Sequence, residues 1–469
     1  MCAGLAYAAM PGSVRPLRCA CVLAAIRLAS FAALLVFAPA ALALPDVDDP
    51  AQHTQITTLE NGLTVLLLPD PTTPAVSFQM WVRAGAKDET RFTGLAHLFE
   101  HMMFRGTDRL PPESHERMIE ARGGRVNAYT TNDVTVYYAD VAPDSLPLVI
   151  ELEAERLQNL KITEETLASE RQVVLEERRL RTEDQPDGRA FEALLALTFT
   201  AHPYRVPTIG WRSDIEAVTV EACREFFDTF YAPNNVVIAI AGNFDPADTL
   251  AKLRRSMGSL RPVDEIPRSP TREPEQRGER RQIVHFDVRS PILAAAWHAP
   301  KAGDPDAEAL DVASLVLSGG RSSRLYRKLV YEQQQALGAQ GGYWELQQAG
   351  LFYAFASVRP DGDIDAVEKG FMDEIARLRR EPIGAAELAK AKRQIEVDLI
   401  SGMETANEMA ARIAGEYVSF GRIRSIDERL RAYRAVTAAD VQRVAQKYLT
   451  DDRRSVVHVV RPPQPETQR

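Results

Sequence analysis

An internal repeat constrains this chain more than any other feature. A strand-like run, Val76-Ser77-Phe78-Gln79-Met80-Trp81-Val82, is echoed by Pro291-Ile292-Leu293-Ala294-Ala295-Ala296-Trp297, with the two tryptophans 216 residues apart. Ala217-Val218-Thr219-Val220 is echoed 218 residues later by Ala435-Val436-Thr437-Ala438, and each opens a helical pattern ending near Tyr231 or Tyr448. Each helix is followed by a β-rich run, Val236 to Ala241 or Ser455 to Val460. A nearly constant offset across three features indicates two copies of one unit. Between them lies a charged, proline-rich stretch, residues 261–281, with the composition of a linker. The domain reading is 44–260, linker 261–281, and 282–469.

Within each copy the patterning is mixed. Thr57 to Leu68 reads as a hairpin around Asn61-Gly62. Val126 to Val141 has β-branched and aromatic alternation, and Ser145 to Leu160 and Glu164 to Arg181 read as long charged helices. Strands grouped with helices predict an α+β fold, with helices packed on a mainly antiparallel sheet in each half.

The N-terminus is of a different character. Arg15, Arg18 and Arg27 precede an apolar run from Leu28 to Leu44 that ends in Ala41-Leu42-Ala43, and no acidic residue comes before Asp46. This is the pattern of a secretory signal peptide over residues 1–43; the apolar run is short for a membrane anchor and contains Pro39. The expectation is an exported, periplasmic protein with no stable membrane span after cleavage. A secreted form, or one anchored by an uncleaved signal, is the lesser alternative. Removal takes away three positive charges and makes the net charge of −9 more negative, which argues against nucleic acid as a partner. Three of the four cysteines leave with the signal, and Cys223, in an amphipathic helical pattern, reads as a core residue.

Chemistry concentrates in Gly94-Leu95-Ala96-His97-Leu98-Phe99-Glu100-His101-Met102-Met103-Phe104. In a helix, positions i, i+3 and i+4 share a face, so His97, Glu100 and His101 project together. Thr93 is the expected N-cap. Two imidazoles one turn apart can hold zinc, which lowers the pKa of water from about 15.7 toward 7, and a neighbouring carboxylate can move the proton. Catalytic zinc normally takes a third protein ligand. The helix from Glu164 offers Glu170, Glu176 and Glu177, and spacing alone leaves the choice open.

His97-Leu98-Phe99-Glu100-His101 and the residues through Thr107 resemble the signature of the pitrilysin, or insulinase, family of zinc peptidases, family M16, in the subgroup of mitochondrial processing peptidase. Gly123-Gly124-Arg125-Val126-Asn127-Ala128-Tyr129-Thr130 resembles that family's Gly-Gly…Asn-Ala segment, and Glu170 to Glu177 its downstream glutamate helix. The resemblance implies two homologous α+β halves closing as a clamshell, of the LuxS/MPP-like metallohydrolase type. It implies one Zn2+ per chain held by His97, His101 and Glu177, the last at the family's spacing of about 76 residues after the second histidine. Glu100 becomes the general base, Glu170 a residue orienting a ligand histidine, and Asn127, Ala128 and Tyr129 a strand that holds extended peptide or unfolded protein. On the repeat offset, His97, Glu100 and His101 fall on Ala313, Val316 and Leu317, so the second half carries no zinc site.

One departure stands out. Many family complexes use an arginine and a tyrosine seven residues apart after a Ser-Arg-Leu segment; after Ser323-Arg324-Leu325, those places here hold Tyr331 and Gly338. Arg324 or Arg327 is a candidate substitute, and a partner chain another source. The expectation is therefore a zinc metalloendopeptidase, working alone, as a homodimer, or with a zinc-lacking subunit. A non-catalytic family subunit and a periplasmic zinc-binding protein are the alternatives, the latter weakened by only 8 scattered histidines.

Overall fold

The computed structural model describes residues 49–463, so the expected signal segment lies outside the described residues. In the first half, β1 (Gln55–Thr58), β2 (Thr64–Pro69), β3 (Val76–Val82), β4 (Arg125–Thr130), β5 (Thr135–Val141) and β6 (Val236–Gly242) form a sheet in the order β1-β2-β6-β3-β5-β4. The expected hairpin at Asn61-Gly62 joins β1 to β2. Gly62 takes φ +85° at the turn, and the Asn61 amide donates to Met257 O at 2.8 Å.

In the second half, β7 (Arg280–His285), β8 (Ile292–Ala299), β9 (Ala336–Trp344), β10 (Gly350–Val358) and β11 (Arg454–Val460) follow the order β7-β11-β8-β10-β9. Apart from β1, the two sheets have the same topology, including one parallel pair each, β2 with β6 and β7 with β11. The fold is α+β in two homologous halves.

The register corrects one detail of the repeat. Trp81 pairs with Val237 and Val136, whereas the corresponding cross-strand partners, Ser455 and Tyr353, oppose Ala296. Successive strand residues face opposite sides, so Trp81 and Trp297 project from non-equivalent faces of their sheets. The strands are repeated, while the tryptophan match is one residue out of register.

Helices pack on one face of the first sheet: α1 (Leu95–Met102), α2 (Leu146–Asn159), α3 (Glu164–Arg178) and α5 (Val220–Phe230). α4 (Pro186–Thr198) leaves its own half and covers the second sheet, setting Ala190, Leu194 and Leu195 against Ile292, Ala294, Ala296, Val457 and Val459. The second half supplies α6 (Ala307–Ser318), α7 (Ile364–Arg380), α8 (Ala406–Phe420) and α9 (Ala438–Tyr448). α8 makes the reciprocal move: its Ala410, Ile413 and Ala414 pack on Leu66, Leu68, Trp81, Val136, Val237 and Ala239 of the first sheet. Strands covered on both faces run largely apolar: β3 and β6 are buried throughout, and of their residues only Ser77 and Gln79 of β3 are polar.

The stretch between the halves has no regular structure until β7 begins at Arg280, but it is tied down. Arg268 donates to Asp88 at 2.7 Å and to Arg83 O at 2.6 Å, and the Glu273 carboxylate accepts the N–H groups of Thr200, Ala201 and His202. Among the described residues no helix is long and apolar enough to cross a membrane.

Candidate metal centre and active site

α1 buries Leu95, Ala96, Leu98, Phe99 and Met102 and leaves His97, Glu100 and His101 on its half-exposed face. Its N-terminus departs from expectation. Thr93 does not cap it: the Thr93 hydroxyl donates to Asp214 Oδ2 at 2.6 Å, and Gly94 occupies the cap position with φ +83°. The Glu89 carboxylate accepts the Gly94 and Ala96 N–H groups instead, both at 2.8 Å. A glycine is required at 94, because a Cβ there would stand 2.5 Å from Ile209 O. The backbone of Gly210, packed against Gly94, is gripped by Arg178 at the end of α3, whose guanidinium donates to Gly210 O and to Glu192. The two helices of the site are thus locked to each other through one buried arginine.

α3 brings its glutamates to α1 in a defined order. Glu177 Oε2 lies 3.7 Å from His97 Nε2 and 3.5 Å from His101 Nε2. Glu170, fully buried one step behind, places Oε2 3.2 Å from His101 Nδ1 and Oε1 2.7 Å from Arg105 Nε. Glu176 faces outward and pairs with Arg179. The groups of His97, His101 and Glu177 that could ligate a metal all lie within 4.8 Å of one another. Zinc bonds of about 2.0–2.2 Å at tetrahedral angles set ligand atoms roughly 3.3–3.6 Å apart, close to the spacing of Glu177 from each histidine, so the chemistry and placement of this donor set fit zinc.

The electrostatics differ sharply across the cluster. Burial, together with the neighbouring His101, lowers the His97 pKa to about 4. Burial also acts to lower that of His101, but hydrogen bonds with Glu170 and Glu177 outweigh it and raise the value to about 9. Glu177 is held at about 2: burial opposes this, while the two histidines and the ion pair with Arg181 win. Burial raises the Glu100 carboxyl above its ordinary value despite a hydrogen bond from Thr130.

Asn127, Ala128 and Tyr129 lie on β4, the edge strand of the first sheet, which packs beside α1. The Ala128 N–H donates to Asn127 Oδ1 at 2.9 Å, and Tyr129 packs edge-on against Trp81. Thr130, at the end of the same strand, was not singled out from sequence; its hydroxyl donates to Glu100 Oε2 at 2.6 Å. A threonine closing a hairpin carries no sequence signal for that contact.

Elsewhere, Ala313, Val316 and Leu317 are buried apolar residues of α6. Asp365, Glu368 and His458 also cluster, but Arg281 already holds the Glu368 carboxylate, one hydrogen bond measuring 2.7 Å. Arg324 is half of a bidentate pair with Glu387 at 2.7 and 2.8 Å, Arg327 lies 3.7 Å from Glu332, and Tyr331 is exposed. Cys223 is a buried free thiol that burial pushes up to about 12, as a core cysteine should be.

Residues 64–211 match the family described as insulinase (peptidase family M16), and residues 217–395 match the peptidase M16 inactive domain. The zinc protease PqqE of Helicobacter pylori is 30% identical over 411 residues, 87% of this chain and 92% of that protein. A probable mitochondrial-processing peptidase subunit beta of Arabidopsis thaliana is 28% identical over 86% of this chain and 77% of its own length. Among solved structures, a protease from Helicobacter pylori superposes with a TM-score of 0.84 at 29% identity, over 87% of this chain and 99% of that one. A peptidase M16 inactive domain from Pseudomonas fluorescens shares the fold with a TM-score of 0.76 at 20% identity, over 87% and 98% of the two chains. The chain belongs to peptidase family M16.

Proposed function

We propose that this chain is a zinc-dependent metalloendopeptidase acting on peptides or unfolded segments, and the convergence of His97, His101 and Glu177 beside the carboxylate of Glu100 carries that reading. One zinc ion held there supplies Lewis acidity and makes a water molecule acidic near neutral pH. His97 and His101 offer Nε2 and Glu177 a carboxylate oxygen, while Glu170 fixes the His101 ring through Nδ1. Glu100 takes the proton of the attacking water and passes it to the leaving amine. The open edge of β4, along Asn127, Ala128 and Tyr129, receives an extended substrate as an added strand, with the two halves enclosing it as a clamshell.

The signal-like segment 1–43 supports export to the periplasm, and a mature chain beginning at Leu44 is the mass-spectrometric test. The places of Tyr331 and Gly338 leave the C-terminal half without the usual arginine and tyrosine, which favours a partner chain, a second copy or a zinc-lacking relative, completing the site. The decisive experiment incubates the purified chain with unfolded polypeptides, with and without zinc, alone and with any co-purifying partner. Zinc-dependent internal cleavage is expected. Stoichiometric zinc without cleavage in either setting overturns the peptidase reading in favour of a non-catalytic or zinc-binding role.

A further inference from the structure

β4 and β5 are joined by the turn 131–134, and Thr130 and Thr135 are the pair that closes the hairpin. The Thr130 hydroxyl reaches Glu100 Oε2 at 2.6 Å. A glutamate on a half-exposed helix face has several rotamers open to it, and a single bond to one carboxylate oxygen selects among them while leaving the other oxygen for a proton. The position of Thr130 is itself over-determined. Thr135 donates to Ala84 O at 3.0 Å beside it. Ala86 N and Lys87 N donate to the carbonyls of Thr131 and Asn132. The buried Lys87 ammonium lies 2.8 Å from Asp133 O and 3.1 Å from Asp133 Oδ1.

The remaining ties come from across the molecule. Gln347 N, in the turn between β9 and β10, donates to Asp133 Oδ2 at 3.0 Å. The hydroxyl of the fully buried Tyr204 donates to Asp133 Oδ1 at 2.6 Å and accepts from Gln348 N at 3.1 Å. The hairpin turn of the second half therefore grips the corresponding turn of the first. Asp133 is 7% exposed, and charge-assisted hydrogen bonds away from water are the strong kind.

We propose that Thr130 is the positioning residue of Glu100, and that this polar latch on Asp133 lets the second half fix where the Thr130 hydroxyl points. The proposal rests on the peptidase reading and extends it. It gives the second half a part in the chemistry besides enclosure: without the latch, the turn and the last residue of β4 lose the contacts that aim the hydroxyl.

The test measures kcat, KM and zinc content for wild type, Glu100→Gln, Thr130→Val, Thr130→Ser and Tyr204→Phe. Valine keeps the branched shape that a strand favours, so Thr130→Val should fold and retain zinc. Its kcat should fall on the order of 10–100-fold with KM changed less than about twofold, as expected for losing one orienting bond to a charged group. Thr130→Ser should restore most of the rate, and Tyr204→Phe should lower kcat in the same sense but less. A Thr130→Val enzyme with wild-type kcat, or one that loses its zinc, overturns the proposal while wild-type activity and the inert Glu100→Gln leave the peptidase reading standing. An inactive, zinc-loaded wild type overturns both.

Discussion

Glu100 and Glu177 are two carboxylates of one site that the fold sets apart in opposite directions. Burial raises the first, while two histidines and Arg181 hold the second at about 2. In the proposed peptidase, a carboxyl that takes up and releases protons and one that stays ionised as a ligand need such a division. Glu100→Gln should keep zinc stoichiometry and lose about 10²–10⁴-fold in kcat, read by metal analysis beside a peptide assay. Glu177→Gln should lower zinc occupancy after dialysis; unchanged metal content would remove Glu177 from the ligand set. Glu170→Gln should cost less, about 10–100-fold in metal affinity. At this scale the sequence was informative about the two histidines, because i and i+4 on a helix dictate their meeting. Helix spacing left three glutamates in contention, since which of them meets α1 depends on how α3 docks, and the family resemblance singled out Glu177. Thr130 was out of reach for the same reason, being a contact between elements remote in sequence.

α1 is short, and its hold on His97, Glu100 and His101 depends on its ends. Gly94 sits at positive φ with the Ile209-Gly210 backbone pressed against it, so Gly94→Ala should destabilise the fold by about 1–3 kcal/mol and loosen zinc with it. Denaturant unfolding with and without added zinc measures both. The sequence suggested Thr93 as the cap because threonine is a good one; Asp214 competed for its hydroxyl and won. In the second half, β7 is fastened to α7 by Arg281 and Glu368, with His458 of β11 on the same carboxylate. Burial acts to raise the Glu368 pKa, but these partners hold it at about 2. A folded value below the unfolded one means the pairing stabilises fully above the unfolded carboxyl pKa and is lost as pH falls through the folded value. Arg281→Gln should therefore lower the melting temperature at about pH 6, and the gap to wild type should narrow toward about pH 2.5.

Across the whole molecule, the repeat foretold two α+β halves and similar sheets, because strand order follows from the copied unit. It did not foretell that α4 and α8 change places, since helix amphipathicity names an apolar face without naming the sheet it covers. Each sheet is finished by the other half. Residues 44–260 and 261–469 expressed separately should each expose a sheet face and aggregate, while co-expression should recover a soluble, zinc-binding complex; size-exclusion chromatography distinguishes these outcomes. Soluble, separately folded halves would show the exchange to be dispensable.

The exchange of α4 and α8 also bears on how such a molecule can come about. It is the arrangement that two identical half-length chains reach when each lends one helix to the other about a twofold axis. Such a pair would carry two equal sites, and neither could change alone. Joining the copies end to end releases that constraint. One helix can keep His97, Glu100 and His101 while its counterpart, α6, fills with buried apolar residues and turns to structural duty.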